Sequence, residues 1–465
     1  MANILLISLL PLSVLYLCIF YLRARSAHQR RLVLDSLSLP SSTKAFAFFH
    51  PYCNAGGGGE RVLWTAIAYI QRTHPDLLCV VYTGDTSATK SSILEKIESR
   101  FSITLSPATL HFVFLTRRKL VEDSTYPHFT LIGQSLGSVG LALEALSLFV
   151  PDAYIDTMGY AFTLPLVRLL GIPAGAYVHY PTVSPPMIAR AAAHPAKRVY
   201  YHAFMLLYAL ALRRARVLMV NSSWTKTHVD AVLAYPPFGG RWGVVRSRVV
   251  YPACDTREMA RLPLTLGGRG RMVLSIAQFR PEKEHAKQVR ALYVLLKEYP
   301  EYTEQGIRLV MIGGCRNAED EARVEVLRKL ARELSVEAHV EFVLNAPYPD
   351  MLAWLGRASV GLNTMLDEHF GINVVEFMAA GVIPIAHASG GPLEDIVVKF
   401  QGQPTGYHAK TPEEFASRIH EALTLSPEED LAIRQRARTW AVQRFSEAEF
   451  EAAWEASEWW SKLLA

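Results

Sequence analysis

Apolar positions along this chain fall into two kinds of pattern. The first is an uncharged run over residues 4–22, interrupted only by Pro11 and a few small polar residues. At ~1.5 Å per residue, a run of about 19 residues is just long enough to cross ~30 Å of hydrocarbon. A transmembrane anchor over 1–23 is therefore expected rather than a cleaved signal peptide, because no positive region precedes the run and no small-residue cleavage site follows it. Arg23, Arg25, Arg30 and Arg31 come immediately after it, which predicts that the remaining chain lies in the cytoplasm.

The second pattern begins beyond a juxtamembrane connector at 24–44. Short, continuous apolar runs at 45–49, 77–83, 110–115, 153–157, 174–180 and 216–222 alternate with helical stretches. A second series follows at 272–278, 307–313, 339–344, 358–363 and 382–387. Apolar strands separated by helices are what a parallel sheet covered on both faces requires. The fold class is accordingly α/β: two doubly wound, Rossmann-like domains facing a cleft, at 45–255 and 272–440. A linker at 256–271 joins them, and a helix in 441–465 is expected to pack back toward the first domain. Ligands are expected at the carboxyl ends of both sheets.

Two other apolar stretches need separate readings. Residues 129–150 contain Gln134, Glu144, Gly133, Gly137 and Gly140. A buried helix packing closely through its glycines is expected, because Glu144 near a bilayer centre would be costly; a helix grazing the membrane stays open. The stretch 196–216 ends in Arg213, Arg214 and Arg216 and reads as a core helix with cations at its C-terminus.

Composition narrows the function classes. With 465 residues, 50% hydrophobic and 20% charged, the chain suits two globular domains. A net charge of +5 suits an anionic small molecule or a membrane surface, and no nucleic-acid partner is expected. Five scattered cysteines without a Cys-x-x-Cys pair argue against a disulfide framework and a zinc site, and so for a reducing compartment. The sequon Asn221-Ser222-Ser223 is then a chance match.

Four elements carry chemistry. Gly56, Gly57, Gly58 and Gly59 lie between the first strand and a helix, where the backbone can approach a phosphate or sugar unobstructed. Arg61 stands where a dinucleotide fingerprint needs glycine, and no Gly-Lys-Ser/Thr follows, so neither standard phosphate loop fits. His179 ends a strand, a position that a structural histidine also occupies. Arg280 and Lys283 follow the strand at 272–278, where two cations can hold a diphosphate; a solvated pair is the plainer alternative. Finally, Glu368 and Glu376 lie eight residues apart around Phe370-Gly371-Ile372-Asn373. Gly371 permits close backbone approach at a helix start, and Glu376, one turn in, is positioned to accept both hydroxyls of a ribose.

The Glu-x7-Glu spacing of Glu368 and Glu376 resembles the signature of the family 4 retaining glycosyltransferases, whose fold is the two-domain GT-B architecture. Together with Gly56–Gly59, Val178-His-Tyr-Pro-Thr182, Val220-Asn-Ser-Ser-Trp-Thr225 and Gln278-Phe-Arg-Pro-Glu-Lys283, it is similar to the branch of GDP-mannose-dependent α-1,2-mannosyltransferases that extend dolichol-linked oligosaccharides for asparagine-linked glycosylation. That resemblance implies GDP-mannose as donor substrate and a trimannosyl-chitobiosyl diphosphodolichol acceptor at the endoplasmic reticulum membrane. It implies addition of the fourth and fifth mannoses, with other early mannosyltransferases as candidate partners. By it, Glu376 binds the ribose, Glu368 the mannose, Arg280 and Lys283 the diphosphate, and His179 the transferred mannose. Gly57, Gly58 and Gly59 approach the diphosphate and sugar, while Gly371, Ile372 and Asn373 form the nucleotide-side helix start. The chain departs from the family in one place: Gln278 stands where many members carry arginine. No Asp-x-Asp occurs, so neither a catalytic metal nor a permanently bound cofactor is expected. The open alternatives are a family member using another nucleotide sugar or lipid acceptor, and a non-catalytic membrane scaffold that binds nucleotide sugar.

Overall fold

A computed structural model describes residues 20–21, 23–183, 187–188, 194–234, 245–264, 269–315 and 317–465. Apart from Phe20 and Tyr21, the expected transmembrane run lies outside these residues. The chain divides into two compact units. One comprises Met1–Asn221, Thr225–Val250 and Glu451–Ala465, the other Ser222–Trp224 and Tyr251–Phe450.

The first unit is built on β1 (Ala45–Phe49), β2 (Leu78–Thr83), β3 (Leu110–Phe114), β4 (Ala153–Asp156), β5 (Ala174–Val178), β6 (Val217–Val220) and β7 (Arg248–Val249). They form one parallel sheet in the order 3-2-1-4-5-6-7. Every residue of β1 and β2 is buried, so both faces of the sheet are covered. The order reverses between β1 and β4, which makes the carboxyl ends of these two strands the switch point where ligands bind such sheets.

The second unit repeats the winding with β8 (Met272–Ile276), β9 (Arg308–Gly313), β10 (Val340–Leu344), β11 (Val360–Asn363) and β12 (Ile383–His387). A small antiparallel pair, β13 (Lys399–Phe400) and β14 (Gln403–Pro404), precedes β15 (Tyr407–Ala409). The sheet order is 10-9-8-11-12-15, so its switch point lies between β8 and β11. All the expected strands form. Most start or end a residue or two inside the expected bounds, and the unexpected β7, β13, β14 and β15 are too short to leave a pattern in the sequence.

The helix Thr130–Leu148 is held by the contacts its glycines permit. A Cβ on Gly137 would lie 1.8 Å from the Leu120 carbonyl oxygen, and one on Gly133 2.4 Å from the Tyr126 ring. Glu144 accepts hydrogen bonds from the Thr116 N–H at 2.8 Å, the Thr116 hydroxyl at 2.6 Å and the Arg117 N–H at 3.1 Å. Part of the helix surface is open, with Phe129 71% and Leu136 66% exposed. A buried helix was expected; Ser138, Leu141, Ala142 and Ala145 are buried, but other positions are not, because just one side of the helix meets the unit. The helix Pro195–Leu212 is likewise two-faced: Phe204, Met205 and Tyr208 are buried, whereas Val199 and Leu207 are exposed.

Residues 23–36, expected within a connector, form a helix. Two of its arginines reach the unit: Arg23 donates to the Leu170 carbonyl at 2.6 Å, and Arg30 pairs with Asp152 at 2.6 Å. Ser26 donates to the Leu146 carbonyl at 2.5 Å, and Leu34 is buried in the core.

Candidate active site

In the second unit, chemistry-bearing side chains collect at the switch point. Lys283 ends the short turn Pro281–Lys283 beyond β8, and Glu368 lies in the loop beyond β11. Lys283 Nζ donates to Glu368 Oε2 at 2.6 Å, with the two side chains only 23% and 13% exposed. Asn363, the last residue of β11, also points its amide at that carboxylate oxygen, 3.4 Å away. Arg280 sits on the same turn as Lys283, and its guanidinium lies 3.9 Å from the Glu282 carboxylate.

Gly371 opens the helix Ile372–Ala380 with φ +113°, a conformation that suits glycine; a Cβ there would also come within 3.1 Å of Pro392. Within this helix Ile372, Asn373 and Glu376 are partly exposed and the remainder is buried. Ile372, Asn373 and Glu376 thus lie along one side of the helix. Asn373 is tied inward, donating to the Ile276 carbonyl at 3.0 Å.

A second glycine pair, missed by sequence reasoning, fixes this loop. A Cβ on Gly390 would lie 2.2 Å from the Glu368 carbonyl oxygen, and one on Gly391 2.7 Å from Phe370 Cα. Gly391 N–H donates to that same Glu368 carbonyl at 2.7 Å, and Asp367 N–H donates to Ser389 Oγ at 2.7 Å. The signal was available, since Ser389-Gly390-Gly391-Pro392 begins two residues after the predicted strand at 382–387.

In the first unit, Gly56 adopts φ +83° and Gly57 caps the helix Gly58–Thr73. Gly57 N–H donates to Glu60 Oε2 at 2.6 Å. Burial raises the Glu60 carboxyl pKa, and the backbone N–H groups of the loop oppose that shift. His179 follows β5, and its Nε2 lies 3.4 Å from where a Cβ of residue 59 would stand. The loop and the imidazole predicted from separate motifs thus meet. At the switch point itself, His50 Nδ1 and Thr157 Oγ1 share a hydrogen bond of 2.8 Å. Burial, and then the neighbouring His179, push the His50 pKa down to about 3, so it is neutral. Burial pushes Asp156 up to about 7 although the Met158 and Gly159 N–H groups bond to it.

The described cysteines Cys53, Cys79, Cys254 and Cys315 are not in disulfides, and Asn221 of the sequon is 4% exposed. Among the described residues no three His, Cys, Asp or Glu side chains converge in a group that could hold a metal ion.

Comparison with known proteins agrees with this layout. The model of the ALG11 mannosyltransferase N-terminus matches residues 43–233, and that of glycosyl transferases group 1 matches residues 258–440. Among solved structures, Anabaena HepE in complex with UDP-glucose superposes with a TM-score of 0.59 at 16% identity, covering 89% of this chain and 99% of HepE. Sucrose-phosphate synthase from Thermosynechococcus elongatus superposes with a TM-score of 0.65 at 16% identity, covering 90% of this chain and 99% of that one. These likenesses establish the GT-B glycosyltransferase fold. In sequence, the Homo sapiens GDP-Man:Man(3)GlcNAc(2)-PP-Dol alpha-1,2-mannosyltransferase is 46% identical over 445 residues, 91% of this chain and 88% of its own. Its Neurospora crassa counterpart is 44% identical over 446 residues, 88% of this chain and 78% of its own. The chain belongs to the family of the GDP-Man:Man(3)GlcNAc(2)-PP-Dol alpha-1,2-mannosyltransferases.

Proposed function

We propose that the chain transfers mannose from GDP-mannose, in α-1,2 linkage and with retention, to trimannosyl-chitobiosyl diphosphodolichol, adding the fourth and fifth mannoses. The observation that carries this reading is the 46% identity, spread over 91% of the chain, to a relative whose name states donor, acceptor and linkage. The site chemistry is compatible with it. Lys283 and Arg280 serve the diphosphate, Glu368 the mannose hydroxyls and Glu376 the ribose hydroxyls. The N–H groups at the start of Ile372–Ala380, freed by Gly371 and continuing through Ile372 and Asn373, add a positive helix terminus for the diphosphate. The first unit is the acceptor side, where Gly57, Gly58 and Gly59 keep the backbone bare beside His179.

In the reaction, the acceptor hydroxyl attacks the anomeric carbon from the face that the diphosphate leaves. The new glycosidic bond forms as the sugar–phosphate bond breaks, the hydroxyl proton passes to a diphosphate oxygen, and GDP departs. Negative charge grows on the diphosphate, so the Lys283 ammonium stabilises the transition state more than the ground state. Glu368, whose Oε2 accepts from Lys283 and Asn363, is assigned a binding role rather than that of a nucleophile.

We further assign the body to the cytosolic face of the endoplasmic reticulum membrane, behind the anchor at 4–22. An open apolar face supports this. Phe129 and Tyr200 rings lie 5.6 Å apart and Ile132 N–H points at the Tyr200 hydroxyl, 3.3 Å away, so the two helices present Leu136, Val199 and Leu207 together. Exposed Lys197 and Arg198 flank that face, a combination suited to an anionic bilayer surface. Donor choice is tested by comparing GDP-mannose with UDP-glucose on the lipid-linked acceptor. Transfer from GDP-mannose alone is expected; transfer from UDP-glucose alone overturns the reading.

A further inference from the structure

We infer that Asn363 and Thr364, consecutive residues at the carboxyl end of β11, are positioning residues that set the placement of the Glu368–Lys283 pair; the inference rests on the function proposed above. The argument starts from the amide of Asn363, which is 4% exposed. Its Nδ2 lies 3.4 Å from Glu368 Oε2 and 3.0 Å from Asn373 Oδ1. Both neighbours are acceptors, which fixes the orientation of the amide. Asn373 in turn donates through Nδ2 to the Ile276 carbonyl at the end of β8, 3.0 Å away. A side-chain path therefore runs from the end of β8 through Asn373 and Asn363 to the Glu368 carboxylate.

Thr364 does for Lys283 what Asn363 does for Glu368. Its hydroxyl donates to the Lys283 carbonyl at 2.9 Å, and it accepts from Gln288 Nε2 at 2.9 Å. Gln288 is 2% exposed and lies on the helix His285–Glu298, so this second path runs into the interior. One strand end thus holds both partners of the ion pair, the carboxylate through a side-chain amide and the lysine through its backbone. A carboxylate with only one lysine partner could swing about its own χ angles; the second donor at Asn363 selects one orientation. Misplacement of a reacting or binding group by ~1 Å can cost about 10²-fold in rate, which sets the scale of the effect expected.

The test uses four variants of the full chain, assayed with GDP-mannose and the lipid-linked acceptor. Asn363→Ala is expected to lower kcat/KM about 10- to 100-fold. Asn363→Asp replaces the amide by a carboxyl that can donate to Glu368 only when protonated, so its activity relative to the unaltered chain should rise as pH falls from 8 to 6. A loss arising from misfolding has no reason to follow that profile. Thr364→Val should raise KM for GDP-mannose and lower kcat, and Thr364→Ser, which keeps the hydroxyl, should recover most of both. Asn363 variants within threefold of the unaltered chain at every pH, or Thr364→Ser as defective as Thr364→Val, overturn the inference. If the unaltered chain transfers nothing from GDP-mannose, it is the functional reading that fails, and this inference falls with it.

Discussion

Replacing Lys283 by methionine separates what the lysine does for the fold from what it does for the reaction. Methionine keeps much of the side-chain length and removes the charge. In the structure the substitution deletes a 2.6 Å contact to Glu368, a carboxylate whose side chain is 13% exposed. Leaving a fully buried charge unpaired costs about 3–5 kcal/mol. Because both groups here keep some water, about 1–3 kcal/mol is the appropriate scale. In a domain of this size that corresponds to a Tm lower by roughly 2–10 °C. The catalytic loss should be larger. One preorganised donor aimed at developing charge is worth about 10²- to 10³-fold in kcat, or ~2.7–4 kcal/mol. Steady-state kinetics with GDP-mannose should therefore show kcat falling about 10²- to 10³-fold with KM changed less than tenfold. Adding Glu368→Gln removes the orphaned charge, so the double variant should regain most of the lost Tm and none of the lost kcat. Unchanged kcat with a raised KM would mean that Lys283 binds donor and transition state alike, which refutes the reasoning. Recovery of kcat in the double variant would refute it as well.

Three other outcomes follow from the structure and the sequence. Gly137→Ala should destabilise the first unit by several kcal/mol, since its Cβ would sit 1.8 Å from the Leu120 carbonyl oxygen; an unchanged Tm would contradict the packing. Burial holds His285 down to about 4, so it is neutral in the fold and ionises on unfolding below its ordinary value of 6.5. Its contribution is complete above pH 6.5 and is lost as pH falls toward 4; His285→Gln should flatten the Tm–pH curve between 7 and 4, and parallel curves for the two proteins would contradict this. In the first unit His50 and His111, held near 3 and 4, act in the same direction while Asp156, raised to about 7, opposes them. Transfer activity should survive excess EDTA, as the missing Asp-x-Asp element suggests; complete loss restored by manganese would contradict it.

Much of this architecture is legible in the sequence because parallel strands buried on both faces read as unbroken apolar runs. Ala45–Phe49 is apolar throughout and forms β1 with those bounds. Where strands end is less legible: β8 closes at Ile276, although the apolar run continues and the Ala277 N–H still donates to the Ile312 carbonyl at 3.0 Å. The helix Thr130–Leu148 was half legible: its glycines announced close packing, whereas which face stayed open depends on contacts with Leu120 and Tyr126 that no local pattern encodes. In the site, Glu368 and Glu376 stood out by spacing, and Lys283 by its place beyond a strand end together with the family resemblance. The polar support beneath them did not. Asn363 and Thr364 at the end of β11 meet Asn373 and Gln288 from two other elements only in the folded unit, and Gly390 matters solely because the Glu368 backbone passes over it.

The most direct measurement is mass analysis of the lipid-linked product after purified protein is incubated with GDP-mannose and trimannosyl-chitobiosyl diphosphodolichol, followed by digestion with an α-1,2-specific mannosidase. The account predicts a gain of two hexoses, both removed by the enzyme. An unchanged acceptor mass, or added hexoses that resist α-1,2-mannosidase, would contradict it.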